Sequence, residues 1–176
     1  MQVKDENGNV VAKVYIIEQL NSDEEHDNLQ IRRLQNLAAE SWCTCHAPNC
    51  ASYLKYANSF LFIPNEGNRI LRIQGKVDDN YLEIMSVTNL ENIPQLNAYP
   101  KYFCWIKDDQ DIEQLFNFVS QIEKDKNYNI SLKNIFDFDN ISSTNKIRIL
   151  EYTKKILDKY DSQIDELDEN LNINEV

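Results

Sequence analysis

Three apolar stretches decide the fold: Phe60-Leu61-Phe62-Ile63, Arg69-Ile70-Leu71-Arg72-Ile73-Gln74, and Tyr81-Leu82-Glu83-Ile84 continuing to Val87. In the second, Ile70, Leu71 and Ile73 stand between Arg69, Arg72 and Gln74; in the third, Leu82 and Ile84 flank Glu83. Such patterns mark half-buried strands. Between them lie Asn65-Glu66-Gly67-Asn68 and the segment Gly75–Asn80, both rich in turn-forming residues. Connections this short join antiparallel neighbours, so a β-meander is predicted. Upstream, Gln2–Lys4 and Val10–Ile17 flank Glu6-Asn7-Gly8-Asn9, an Asn-Gly hairpin signal. Tyr102–Ile106 offers a further strand.

Helices fill the remainder. Ser22 with Glu25 has the spacing of a capping box and opens a helix to about Glu40, with Leu29, Leu34, Leu37 and Ala38 on one side. Pro48-Asn49 starts a short helix over Cys50–Asn58. All four prolines and all three glycines occur at or before Pro100, so the second part favours uninterrupted helices. Asp109–Lys124 carries Ile112, Leu115, Phe116, Val119 and Ile122 at amphipathic spacing. Ser142 or Ser143 caps a final helix to about residue 170. There Leu150, Leu157, Ile164 and Leu171 recur every seven residues, with Thr153, Tyr160 and Leu167 offset by three. Either a wide core face, which Ile147, Ile149 and Ile156 would broaden, or a heptad seam explains that pattern. The predicted class is α+β. Residues 1–107 form an antiparallel meander with two helices, and residues 108–176 form an all-helical part packed on it in one unit.

Composition narrows the function. The 176 residues hold 29 acidic against 18 basic side chains, a net charge of −11. That balance argues against a nucleic-acid or anionic-membrane surface, since both need a basic footprint. Gly8, Gly67 and Gly75 are the only glycines, too few for a phosphate-cradling loop or a dinucleotide fingerprint. The N-terminus is polar and no apolar run approaches membrane-spanning length, so a cytoplasmic protein with reduced thiols is expected.

One stretch is chemically loaded: Trp42-Cys43-Thr44-Cys45-His46-Ala47-Pro48-Asn49-Cys50. Cys43, Cys45, His46 and Cys50 are ligand types that zinc prefers, yet Cys-x-Cys-His spacing departs from the usual paired knuckles, so no metal is favoured there. A thiol nucleophile at Cys43 or Cys45 would need His46 or His26 as base, and no orienting third residue accompanies them.

From Trp42 the pattern runs through Ala51 and Tyr53-Leu54 into Phe60-Leu61-Phe62-Ile63, Gly67, Ile70 and Ile73. Over residues 29–75 it resembles the W-C-T…Y-L segment of uncharacterised proteins of phages and other mobile elements of bacteria. The resemblance rests on Trp42, Cys43, Thr44, Tyr53 and Leu54, and it implies provenance without carrying catalytic residues. On physical grounds, Trp42 and Tyr53 are expected to pin the two helices against the meander.

The leading expectation is a non-enzymatic acidic binding protein of a mobile element, directed at a basic protein partner such as a host defence nuclease, a CRISPR effector among them. The contact residues expected on the last helix are Asp161, Ile164, Asp165, Glu166, Leu167, Asp168 and Glu169. From Asp161 onward the sequence holds six acids and no Lys or Arg. Two alternatives stand beside it: a zinc- or thiol-dependent protein using Cys43–Cys50, and a self-association module forming a homodimer through the last helix.

Overall fold

The computed structural model describes residues 1–37, 47–66, 69–91, 103–105, 109–132, 142–152 and 154–155. Among the described residues, seven strands form one sheet: β1 (Gln2–Lys4), β2 (Val10–Ile17), β3 (Asn58–Pro64), β4 (Arg69–Asp78), β5 (Tyr81–Glu91), β6 (Phe103–Trp105) and β7 (Asn129–Ser131). The first six follow one another in sequence order and pair antiparallel. The helices are α1 (Glu24–Leu37), α2 (Ala47–Leu54), α3 (Asp109–Lys126) and α4, which begins at residue 143 and is described to residue 155 apart from residue 153.

The hairpin between β1 and β2 turns where the Asn-Gly signal lies. Gly8 takes φ +82° and its N–H bonds the Asp5 carbonyl at 3.1 Å. One Asp5 carboxylate oxygen accepts from the N–H groups of Asn7 and Asn9, both at 2.9 Å. A short polar side chain closing its own loop is what makes Asp favourable there.

Gly75 departs from expectation. It lies inside β4, beside an irregularity in register between Gln74 and Gly75, and the turn contracts to Asp79-Asn80 with Asp79 at φ +54°. A Cβ on Gly75 would stand 2.6 Å from Leu82 Cδ1 and 3.2 Å from Phe60 Cε2. Glycine is required here by close packing, not by turn geometry.

Both faces of the sheet are covered, by different layers. One face presents Val14, Phe60, Phe62, Leu71, Ile73, Leu82, Ile84 and Val87 to α3, whose Ile112, Leu115, Phe118, Val119 and Ile122 are buried in the same cluster. Phe60 and Phe118 meet with ring centroids 5.4 Å apart. On the other face Ile17 and Leu61 pack with Leu34 of α1 and Cys50 and Leu54 of α2. Beside that apolar patch runs a polar row across three strands, Ser59, Gln74 and Ser86, in register. Gln74 donates to the Tyr53 carbonyl at 2.9 Å and accepts from the Ser86 hydroxyl at 3.1 Å. The buried Arg72 guanidinium lies 4.3 Å from the centre of the Tyr53 ring, so Tyr53 ties α2 to β4.

The second part of the chain is not all-helical. α3 ends with Lys124 and Lys126 near its negative carbonyl end and Asn127 in the left-handed conformation at φ +54°. The chain then returns as β7, parallel to β5, with Leu82 opposite Ile130. A parallel pairing needs a crossover, which α3 supplies. β7 was missed because three residues carry no readable alternation, and only its contact with β5 makes them a strand. Two boundaries also move: the short helix covers Ala47–Leu54, and Asn58 already opens β3.

Candidate interaction surface

Where β2 runs into α1, the chain is laced to both helices of its layer. The Glu18 N–H donates to Gln30 Oε1 at 2.9 Å, and Gln30 is buried in α1. Gln19 bonds Asn58 Oδ1 through its N–H at 2.7 Å and the Lys55 carbonyl through its amide at 3.2 Å. Leu20 N–H reaches the Leu54 carbonyl at 2.9 Å. These bonds bring the β2–α1 connection beside the end of α2.

The cap of α1 is Asp23, not Ser22. Ser22 takes φ +69°, outside the extended geometry of a capping residue, whereas Asp23 Oδ1 accepts the His26 N–H at 2.9 Å. Asp27 turns back and accepts from the N–H groups of Asn21 at 3.0 Å and Ser22 at 3.2 Å. Acids in the first turn, Glu24, Glu25 and Asp27, sit favourably at the positive end of the helix.

His26 is the centre of this corner. Its Nδ1 lies 2.9 Å from Asp27 Oδ1 and its Nε2 2.9 Å from Glu18 Oε2. A neutral imidazole owns one N–H, so only the protonated ring donates to both carboxylates. The Asp27 bond first, then the Glu18 bond, raise the His26 pKa above its ordinary 6.5. The Asp27 pKa is lowered from 3.8, chiefly by the His26 bond and then by the Asn21 N–H.

The two shifts have opposite consequences for pH. A raised histidine pKa contributes stability present below pH 6.5 and lost as pH climbs through the folded value; a lowered Asp27 contributes stability lost on acidification. The corner is therefore tightest between pH 3.8 and 6.5. A proton NMR titration is expected to give His26 a midpoint above 6.5, moving down in Glu18→Gln; a midpoint at or below 6.5 contradicts the clasp.

From Glu18 to Asp27 the chain carries five carboxylates and no Lys or Arg, and Glu18, Asp23, Glu24 and Glu25 are exposed. Next in sequence to Lys55, whose carbonyl Gln19 bonds, Tyr56 is 63% exposed, with Lys55 Nζ 5.3 Å from its ring centre. Exposed carboxylates offer charge-assisted hydrogen bonds, and an exposed aromatic ring a cation–π face, to an Arg- or Lys-bearing ligand. Sequence reading passed over Glu18 and Tyr56 because nothing in their spacing brings residue 18 to residue 56. The visible signal was the run Asp23-Glu24-Glu25-His26-Asp27.

The residues singled out from sequence fare differently. Asp161, Ile164, Asp165, Glu166, Leu167, Asp168 and Glu169 lie outside the described residues, as do Trp42, Cys43, Thr44, Cys45 and His46. Cys50 and Leu54 are fully buried with Ile17, Leu34 and Leu61. Among the described residues, no group of three or more His, Cys, Asp or Glu is arranged to hold a metal ion. Among them too, no helix is long and apolar enough to cross a membrane. No family model, curated protein or solved structure matches this chain, so its reading rests on the geometry above.

Proposed function

We propose that this is a non-enzymatic acidic binding protein whose α1 corner docks a basic protein surface. The observation that carries the reading is the exposed carboxylate set Glu18, Asp23, Glu24 and Glu25, on a connection tied to α1 through the Glu18 N–H bond to Gln30 and to the end of α2 through the Gln19 amide bond to the Lys55 carbonyl, next to which the exposed Tyr56 follows in sequence. A net charge of −11 adds long-range attraction toward a positive groove. The W-C-T…Y-L resemblance favours a mobile-element setting, in which a fitting partner is a host nuclease with a nucleic-acid groove, such as a CRISPR effector.

The test is inhibition of DNA cleavage by such an effector, read against rising protein and rising salt. Inhibition is expected at low salt and falls as ionic strength shortens the screening length toward about 8 Å. Glu24→Lys with Glu25→Lys is expected to weaken it about tenfold, equivalent to about 1.4 kcal/mol. Both side chains are exposed, so the reversal costs only the dipole interaction at the start of α1, about 0.3–1 kcal/mol per residue, and thermal melting checks that the fold is retained. Absence of inhibition, or inhibition indifferent to salt and to the reversal, overturns the reading.

A further inference from the structure

His26 joins two carboxylates of very different freedom. Asp27 lies on the same helix, accepts from the Asn21 and Ser22 N–H groups as well as from the ring, and its side chain is 18% exposed. Glu18 precedes the helix and its side chain is 63% exposed. Among the described residues, the His26 ring is the only partner of the Glu18 carboxylate. The backbone beneath does not depend on the ring, because Glu18, Gln19 and Leu20 are fixed through Gln30, Asn58, Lys55 and Leu54.

The charges around the ring are unequal. The connection contributes Glu18; α1 contributes Asp27 and the capping Asp23, and one turn on Arg33 bonds the same Gln30 oxygen that holds the Glu18 N–H, at 3.0 Å. The titratable side chains of α2 turn elsewhere: Cys50 is buried with Leu34 and Leu61, and the Tyr53 ring lies on Arg72. Just past α2, the Lys55 ammonium lies on the Tyr56 ring.

A charged imidazole donates from both nitrogens, and a neutral one keeps a single N–H. That N–H stays with Asp27, which two backbone donors hold in place. Nε2 then turns a lone pair toward a Glu18 oxygen 2.9 Å away, and two acceptors at that distance repel. Glu18 is the side chain free to leave. We infer that the proton on His26 gates the α1 corner: the charged ring engages Glu18, and when the proton departs Glu18 swings into solvent and the corner takes a Lys- or Arg-rich ligand more tightly. The ligand half of this rests on the binding function proposed above; the release of Glu18 stands on the geometry alone. Histidine is the side chain suited to such a gate near neutral pH.

The experiment uses the full chain at pH 5.5 and 8.0, a span over which Asp and Glu stay ionised and a decalysine peptide stays charged. NMR couplings across the Glu18 side chain are expected to report one rotamer at pH 5.5 and averaging at pH 8.0. Calorimetry at low salt is expected to give decalysine an affinity about two- to fivefold higher at pH 8.0, the effect of one exposed ion pair. His26→Gln is expected to flatten that pH dependence, and Glu18→Gln to lower affinity more at pH 8.0 than at pH 5.5. His46 and the amino terminus titrate in the same span and are unchanged in both variants. Couplings alike at both pH values, a pH dependence that survives His26→Gln, or equal decalysine affinity at both pH values overturns the inference. Decalysine binding at neither pH, with the couplings switching as expected, refutes the binding function and upholds the proton-driven release of Glu18.

Discussion

Phe118→Ala is expected to destabilise the protein by about 3–5 kcal/mol, the largest effect foreseen for any single side chain here. Phe118 is fully buried on α3, and its ring meets Phe60 of β3 at 5.4 Å with the planes tilted by 56°. Truncation removes that contact and leaves a void between a helix and a sheet joined by strand pairing and helix packing at once. The walls cannot close over it cheaply, because Phe60 and Leu82 already crowd Gly75 in the same buried cluster. Domains of this size unfold with about 5–15 kcal/mol, so about a fifth of the total or more is at stake. Urea unfolding reads the effect as a lower midpoint at unchanged slope. Phe118→Leu, which keeps most of the volume, should recover most of the loss. A change under about 1 kcal/mol for Phe118→Ala would mean that α3 is not seated on the sheet as described.

Leu34→Ala follows, at about 2–5 kcal/mol. Leu34 is fully buried against Ile17, Cys50, Leu54 and Leu61, a small cluster on the opposite face. Because that cluster is separate from the one around α3, the damage should be local. Hydrogen exchange is expected to rise across 24–37 and 47–54 and to stay low across 109–126. The consequence reaches function, since the carboxylates of the α1 corner ride on the helix that Leu34 holds down. Binding to the basic partner should weaken along with α1 protection, even though no charge has changed. Uniform loss of protection across both layers would instead show one cooperative core.

What was legible in the sequence was local. Alternation in Arg69–Gln74 and Tyr81–Ile84 pointed to strands that exist, and the spacing of Ile112, Leu115, Val119 and Ile122 pointed to the face of α3 that is buried. The Asn7-Gly8 hairpin belongs here too, because its geometry is closed by Asp5 within the same loop. These features follow from side-chain periodicity and turn chemistry, which act over a few residues.

The tertiary structure decided everything that depends on distant neighbours. β7 is a strand only because Ile130 lies beside Leu82, and Gly75 is a packing glycine only because Leu82 and Phe60 crowd it. Asp23 and not Ser22 caps α1, since Ser22 takes the left-handed region while Asp23 accepts the His26 N–H. The candidate surface has the same origin: the bonds Gln19 makes to Lys55 and Asn58 tie the residue after Glu18 to the residues flanking Tyr56. Local sequence carries propensity and periodicity; closeness between residues far apart in the chain is created by burying both faces of the sheet, and no short-range pattern encodes it.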